Sequence, residues 1–187
     1  MLFYAKGSER AVFADAELKA GLLAAFEKLG PRRKVLAVPP DMTRCHSYAG
    51  PLTRMAWEFY GERLTDVLPA LGTHSPMTPA QIAEMFGNTP PALFRVHDWR
   101  KGIVTLGEVP ADFVRATSGG AADFAWPAQV EHLIATGGHD LILSIGQVVP
   151  HEVVGMASFN KNIFVGTGGP EGINKSHFVA PPTAWSA

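Results

Sequence analysis

Three polar turns carry the side chains that could do chemistry. The first, "PPDMTRCHS", holds Asp41, Thr43, Arg44 and His46. Arg44 can grip a carboxylate or phosphate through two parallel hydrogen bonds, and Asp41 lies close enough in sequence to orient it. The same residues equally describe an Asx-type turn with a solvated arginine. The second, "LGTHSPMTPAQIAEMFG", puts His74 on a Gly/Pro-flanked turn between an apolar run and a helix. There the backbone is held by rigid elements while the ring stays open to a ligand, although a lone loop histidine can also be an ordinary surface or capping residue. The third, "IGQVVPHEVVGMASFNKNIFVGTGGPEGINKSH", offers His151, Lys161 and His177 on glycine-rich chain. A neutral histidine exchanges a proton near pH 7 and can bind a transition metal through one ring nitrogen. A lysine withdrawn from water can act as an amine nucleophile. If both are surface residues, the glycines only shape turns.

Familiar motifs fail on spacing. "HEVVG" begins like the zinc motif H-E-x-x-H, but its fifth residue is Gly155. "GINKS" has Asn174 before Lys175 where a phosphate loop needs glycine, and "GTGGPEG" is not G-x-G-x-x-G. No G-x-S-x-G elbow follows a strand. Cys45 and His46 are adjacent, and neighbouring side chains rarely face one another, so a thiol–imidazole pair is disfavoured.

The elements that must position these turns are legible in part. Leu18, Leu22, Phe26 and Leu29 recur at helical spacing from Asp15, and Gly30-Pro31 ends the pattern. "KVLAVPP" is a continuous apolar run, the signature of a strand covered on both faces. Leu52, Met55, Ala56, Phe59 and Tyr60 mark a second helix. Thr78-Pro79-Ala80-Gln81 is a capping box that opens a third, with Ile82, Met85 and Phe86 as its buried face and Gly87 as its stop. Residues 2–5, "TDVLPALG", "GIVTLG" (102–107), "HDLILSIGQVV" (139–149) and "NIFVG" (162–166) are further strand candidates, Pro69 counting against the second. Residues 110–128 read as irregular, with "SGGAADFAWP" as a loop, and no internal repeat or low-complexity tract is present. Alternating strands and helices predict an α/β fold: a largely parallel sheet with helices on both faces. Ligands in such sheets bind beyond the carboxyl ends of the strands. All three polar turns follow strand candidates, so they are expected to share one rim.

Composition fits this reading. The 187 residues suit one domain, and 16 basic against 17 acidic residues leave no field that would recruit nucleic acid or an anionic membrane. No apolar run approaches the ~20 residues of a membrane span, and "MLFYAKGSER" lacks the regions of a signal peptide. With one cysteine there is no internal disulfide, which suits a reducing cytosol and a cytoplasmic location.

Taken together, "PPDMTR", "LGTHSPMTPAQIAEMFG" and "SIGQVVPHEVVGMASFNKNIF…INKSH" resemble the lactate racemase family, the nickel-pincer-nucleotide enzymes, in order and spacing from Pro39 to His177. The resemblance implies an N-terminal α/β domain holding a nicotinic-acid-derived mononucleotide whose two sulfurs and one ring carbon bind nickel. It places Lys161 at the lysine tethered to that nucleotide and His177 at the histidine completing square-planar nickel. It places His74 and His151 at the two catalytic histidines, and Asp41 and Arg44 in the D-x-T-R turn of the cofactor-binding site. The activity it implies is racemisation or epimerisation of a small 2-hydroxy acid by hydride transfer, with the two histidines exchanging acid and base roles. The sequence differs from the family pattern in two places. Cys45-His46 follows Arg44 where proline is usual, and Ala157-Ser158-Phe159-Asn160 precedes the lysine where glycine is usual. The family's C-terminal domain has no counterpart in residues 1–187. The chain is therefore expected to be one N-terminal-type domain whose pocket a further domain or partner chain completes. The contrasting expectation is a non-catalytic nucleotide- or nickel-binding module, or one half of a split enzyme.

Overall fold

A computed structural model describes residues 1–151 and 155–184, with side chains described to Phe178. Its centre is a three-stranded parallel sheet in the order β2–β1–β5, built from β1 (Val35–Val38), β2 (Leu64–Val67) and β5 (Leu141–Ser144). All four residues of β1 are fully buried, as the continuous apolar run predicts. One face packs Val35, Ala37 and Val67 against Phe26 of α1 (Asp15–Leu29) and Ala56 and Tyr60 of α2 (Ala49–Tyr60). The other packs Leu36, Val38 and Leu68 against Ile134 of α5 (His132–Thr136) and Ile163 of α6 (Asn160–Phe164). The sheet is thus covered by helices on both sides.

Pro69 lies just beyond β2, and the chain stays alongside β1 past it because of where the missing donor falls. Leu68 N bonds Ala37 O at 2.8 Å and Ala70 N bonds Pro39 O at 2.8 Å. Pro69 alternates with these donors, so its nitrogen faces away from β1, the side on which an edge strand tolerates proline. Asp66 ties this edge to the rest of the domain, with one oxygen 2.7 Å from Arg95 Nε and the other 2.9 Å from the buried His139 Nε2. Burial opposes its charge, but Thr65, His139 and Arg95 outweigh that and hold its pKa below the usual carboxylate range. His97 is also buried, beside the backbone of Gly168. Burial lowers its pKa, so it packs as a neutral ring.

Several expectations are corrected. Residues 2–5 form no strand; they pack on α1, with Phe3 O accepting from Lys28 Nζ at 2.9 Å and the Tyr4 ring against Gly21. In "NIFVG", Asn162 to Phe164 end the helix α6 and Val165-Gly166 form the turn after it, so no strand lies there. Asn162 Nδ2 donates to Val38 O at 3.3 Å and Ile145 O at 3.2 Å, meeting carbonyls at the strand ends that a strand there would not. A short apolar run does not by itself separate the two conformations. "GIVTLG" lies in β3 (Ile103–Val109), which pairs antiparallel with β4 (Trp126–Glu131) in a separate two-stranded sheet. Residues 110–128, read as irregular, contain α4 (Ala111–Thr117) and the start of β4. The run 139–149 is strand only over Leu141–Ser144, and Pro150–His151 (β6) then pairs with Gly155–Met156 (β7). The third helix, α3 (Pro79–Phe86), has the predicted capping box, with Thr78 Oγ1 accepting from Gln81 N and Met85 and Phe86 buried. Among the described residues no helix is long and apolar enough to cross a membrane.

Candidate active site

The chain leaving β1 turns at Pro39-Pro40 into a short 3-10 helix, Met42–Ser47, whose N-terminus Asp41 caps. Asp41 Oδ1 accepts from Thr43 N at 3.1 Å and Thr43 Oγ1 at 2.5 Å. A parallel bridge between Pro40 and Ala70 ties this turn to the one after β2. In that second turn Gly72 adopts φ +55°, which favours glycine. Its N–H bonds Gly166 O at 2.7 Å, and His74 N bonds Leu71 O at 2.9 Å. His74 Nδ1 then lies 2.6 Å from Asp41 Oδ2.

The third segment reaches the same rim by close packing. A Cβ on Gly166 would lie 2.5 Å from Ala70 Cβ, so only glycine lets the α6–α7 junction approach the end of β2. The glycines of "GTGGPEG" that lie tight against the chain meet other protein atoms, among them Gln129 and Phe164. They serve packing. Beyond them α7 (Pro170–Ala184) carries His177, whose Nδ1 donates to Ile173 O at 2.8 Å. That bond fixes the proton on Nδ1 and leaves Nε2 as the available lone pair.

One cavity of about 250 Å³ is lined by Asp41, Arg44, His74, His151, Lys161 and His177 together. The three turns expected on one rim do meet there. His46, Gln147 and Asn162 also line it. His46 was visible in the first turn but had no assignable partner. Gln147 was hidden inside an over-long strand reading, and Gly146, just beyond the strand's true end, was the available signal. Asp41 is the only carboxylate among the described lining residues, against one arginine, one lysine and four histidines. Such a lining favours anionic ligands.

The approach to Lys161 is strained. Ser158 and Phe159 have φ of 55° and 50°, a region that non-glycine residues adopt only at a cost of roughly 1–3 kcal/mol each. Ser144 Oγ holds the turn by donating to Phe159 O at 3.0 Å. Phe159 is 65% exposed and contributes little burial. Phe159→Gly is therefore expected to raise stability by about 1 kcal/mol, relief of strain exceeding the added chain entropy. A denaturant midpoint that rises with unchanged slope would show this; a lower midpoint would mean the ring's contacts outweigh the strain.

The structure is an open α/β domain with a cationic, imidazole-rich cleft beyond its strand ends. Residues 23–185 match the lactate racemase N-terminal domain model, and the chain belongs to that family. A Thermotoga maritima protein of known crystal structure is similar at 25% identity and TM-score 0.75, over 91% of this chain and 42% of that one. The lactate racemase apoprotein from Thermoanaerobacterium thermosaccharolyticum shares the fold at 20% identity and TM-score 0.58, over 76% of this chain and 32% of its own. The chain therefore spans less than half the length of either structure. No curated protein matches it.

Proposed function

We propose that this chain is the cofactor-holding and proton-transferring domain of a racemase or epimerase acting on a small 2-hydroxy acid, working with a nickel-pincer nucleotide. The observation that carries the reading is the convergence of His74, His151, Lys161 and His177 on one cavity. The residues fit the group. His177 offers Nε2 with its tautomer set by Ile173 O, the form in which imidazole binds a first-row metal. Among the described residues no three metal-binding side chains cluster, so His177 would supply one donor and the nucleotide the others. Lys161 would hold the nucleotide through its amine. When bound, the group supplies a reversible hydride acceptor.

The rest of the chemistry belongs to the chain. One histidine takes the substrate's hydroxyl proton as the α-hydrogen leaves, which flattens the substrate to a keto acid. Return of hydrogen to the opposite face gives the other stereoisomer, with the second histidine as proton source or sink. His74 and His151 fill these roles. Arg44 holds the substrate carboxylate or a cofactor anion by paired hydrogen bonds. We read residues 1–187 as a single N-terminal-type domain. The chain spans less than half of either similar structure, which supports the companion reading that a further domain or partner chain completes the enclosure. Without it, the chain would act as a nucleotide- and nickel-binding module.

The test is intact-mass spectrometry of the chain made together with the enzymes that synthesise the pincer nucleotide. A mass increase that disappears in Lys161→Ala is expected. A chain of apoprotein mass under those conditions would defeat the tether.

A further inference from the structure

The Asp41 carboxylate borders the cavity but is almost wholly buried. Its side chain is 7% exposed, whereas that of His74, its partner at 2.6 Å, is 57% exposed. A buried acceptor thus holds an imidazole whose other edge is open. The two oxygens divide the work: Oδ1 takes both the N–H and the hydroxyl of Thr43, and Oδ2 is left for Nδ1. The backbone around the pair is pinned independently by the Pro40–Ala70 bridge, the Gly72–Gly166 bond and the His74–Leu71 bond. Both turns are thereby tied to neighbouring backbone.

We propose that Asp41 is a positioning residue for His74, holding the imidazole with its proton on Nδ1 so that Nε2 is the atom that exchanges protons in the cavity. That His74 moves substrate protons rests on the function proposed above; the tautomer does not. An ionised carboxylate can only accept, so a ring nitrogen 2.6 Å from it carries hydrogen whether the imidazole is neutral or charged. The other nitrogen is then acceptor when neutral and donor when charged, as a reversible acid–base group requires. In the alternative tautomer Nδ1 would present a lone pair to the carboxylate and Nε2 could not take a proton. Asp41, assigned to cofactor binding on resemblance, would act through His74.

Asp41→Asn separates this from a merely structural role. Thr43 donates to the oxygen at Oδ1, so the Asn amide nitrogen takes the place of Oδ2 and becomes a donor toward His74. The tautomer should reverse. Long-range proton–nitrogen NMR of the ¹⁵N-labelled chain, at a pH where the ring is neutral, reads this directly and needs no cofactor. The unsubstituted chain should show a protonated Nδ1 and a bare Nε2 at His74, and Asp41→Asn the opposite. In the loaded enzyme completed by its further domain, Asp41→Asn should lower kcat by about 10²- to 10⁴-fold, as a wrong tautomer does elsewhere, with KM changed only a few-fold. A protonated Nε2 in the unsubstituted chain, or a tautomer indifferent to the substitution, would overturn the proposal. The expected NMR pattern in a completed, loaded enzyme that racemises nothing would uphold the Asp41 assignment and overturn only the racemase reading.

Discussion

His177→Ala is expected to empty the nickel site of the loaded chain. The ratio of nickel to protein should fall from about one to below about 0.1 after buffer exchange, because loss even of a group supporting a ligand typically costs 10- to 100-fold in affinity. The structure supplies the reason for a large effect. His177 projects from α7 with Nδ1 committed to Ile173 O, so its ring is held by the helix that bears it and offers Nε2 without reorganisation. Ser176→Ala is the control, since its hydroxyl stands 3.2 Å from the same Nδ1 while the main contact is to backbone. It should keep most of the metal. Unchanged nickel in His177→Ala would remove this residue from the coordination shell, and elemental analysis beside intact mass would show whether the nucleotide is still attached.

The second large effect concerns the two histidines proposed to move protons. In the loaded enzyme with its pocket completed, His74→Ala and His151→Ala should each slow interconversion of stereoisomers by about 10²- to 10⁴-fold. The double variant should be little worse than either single one, because groups acting on the same transition state are not additive. An α-deuterated 2-hydroxy acid makes the assay specific for the chemistry. Hydride transfer returns the label to the same carbon, so the opposite stereoisomer should keep its deuterium. Rapid washout to solvent would indicate proton abstraction at carbon instead. If a completed, loaded enzyme interconverts no candidate acid, the binding-module reading takes over.

Much of this arrangement could be read from residue order. The apolar run Val35–Val38, the helical spacing from Leu18 to Leu29 and the Thr78–Gln81 capping box are local signals, and the elements they predict are present. The shared rim followed from each polar turn coming after a strand candidate. What escaped was non-local. β4 contains Pro127 and follows a glycine-rich loop, so nothing within it announces a partner; its pairing to β3 is a property of two segments. The run Ile163–Val165 was read as strand because three apolar residues suit either conformation, and Asn162, which bonds carbonyls of distant residues, decided it. The Asp41–His74 contact joins residues 33 positions apart. The positive φ at Ser158 and Phe159 has no local signal, since neither residue type favours that region.

The cavity side chains are scattered from Asp41 to His177, and β1, which the Asp41 turn follows, lies between β2 and the much later β5. On the ribosome the Asp41 turn therefore emerges long before the lysine and the last imidazole. No nascent length ending short of residue 177 presents the full set. A ligand that engages all of these groups, as proposed for the cofactor, would find its complete site only once α7 has emerged from the exit tunnel and docked.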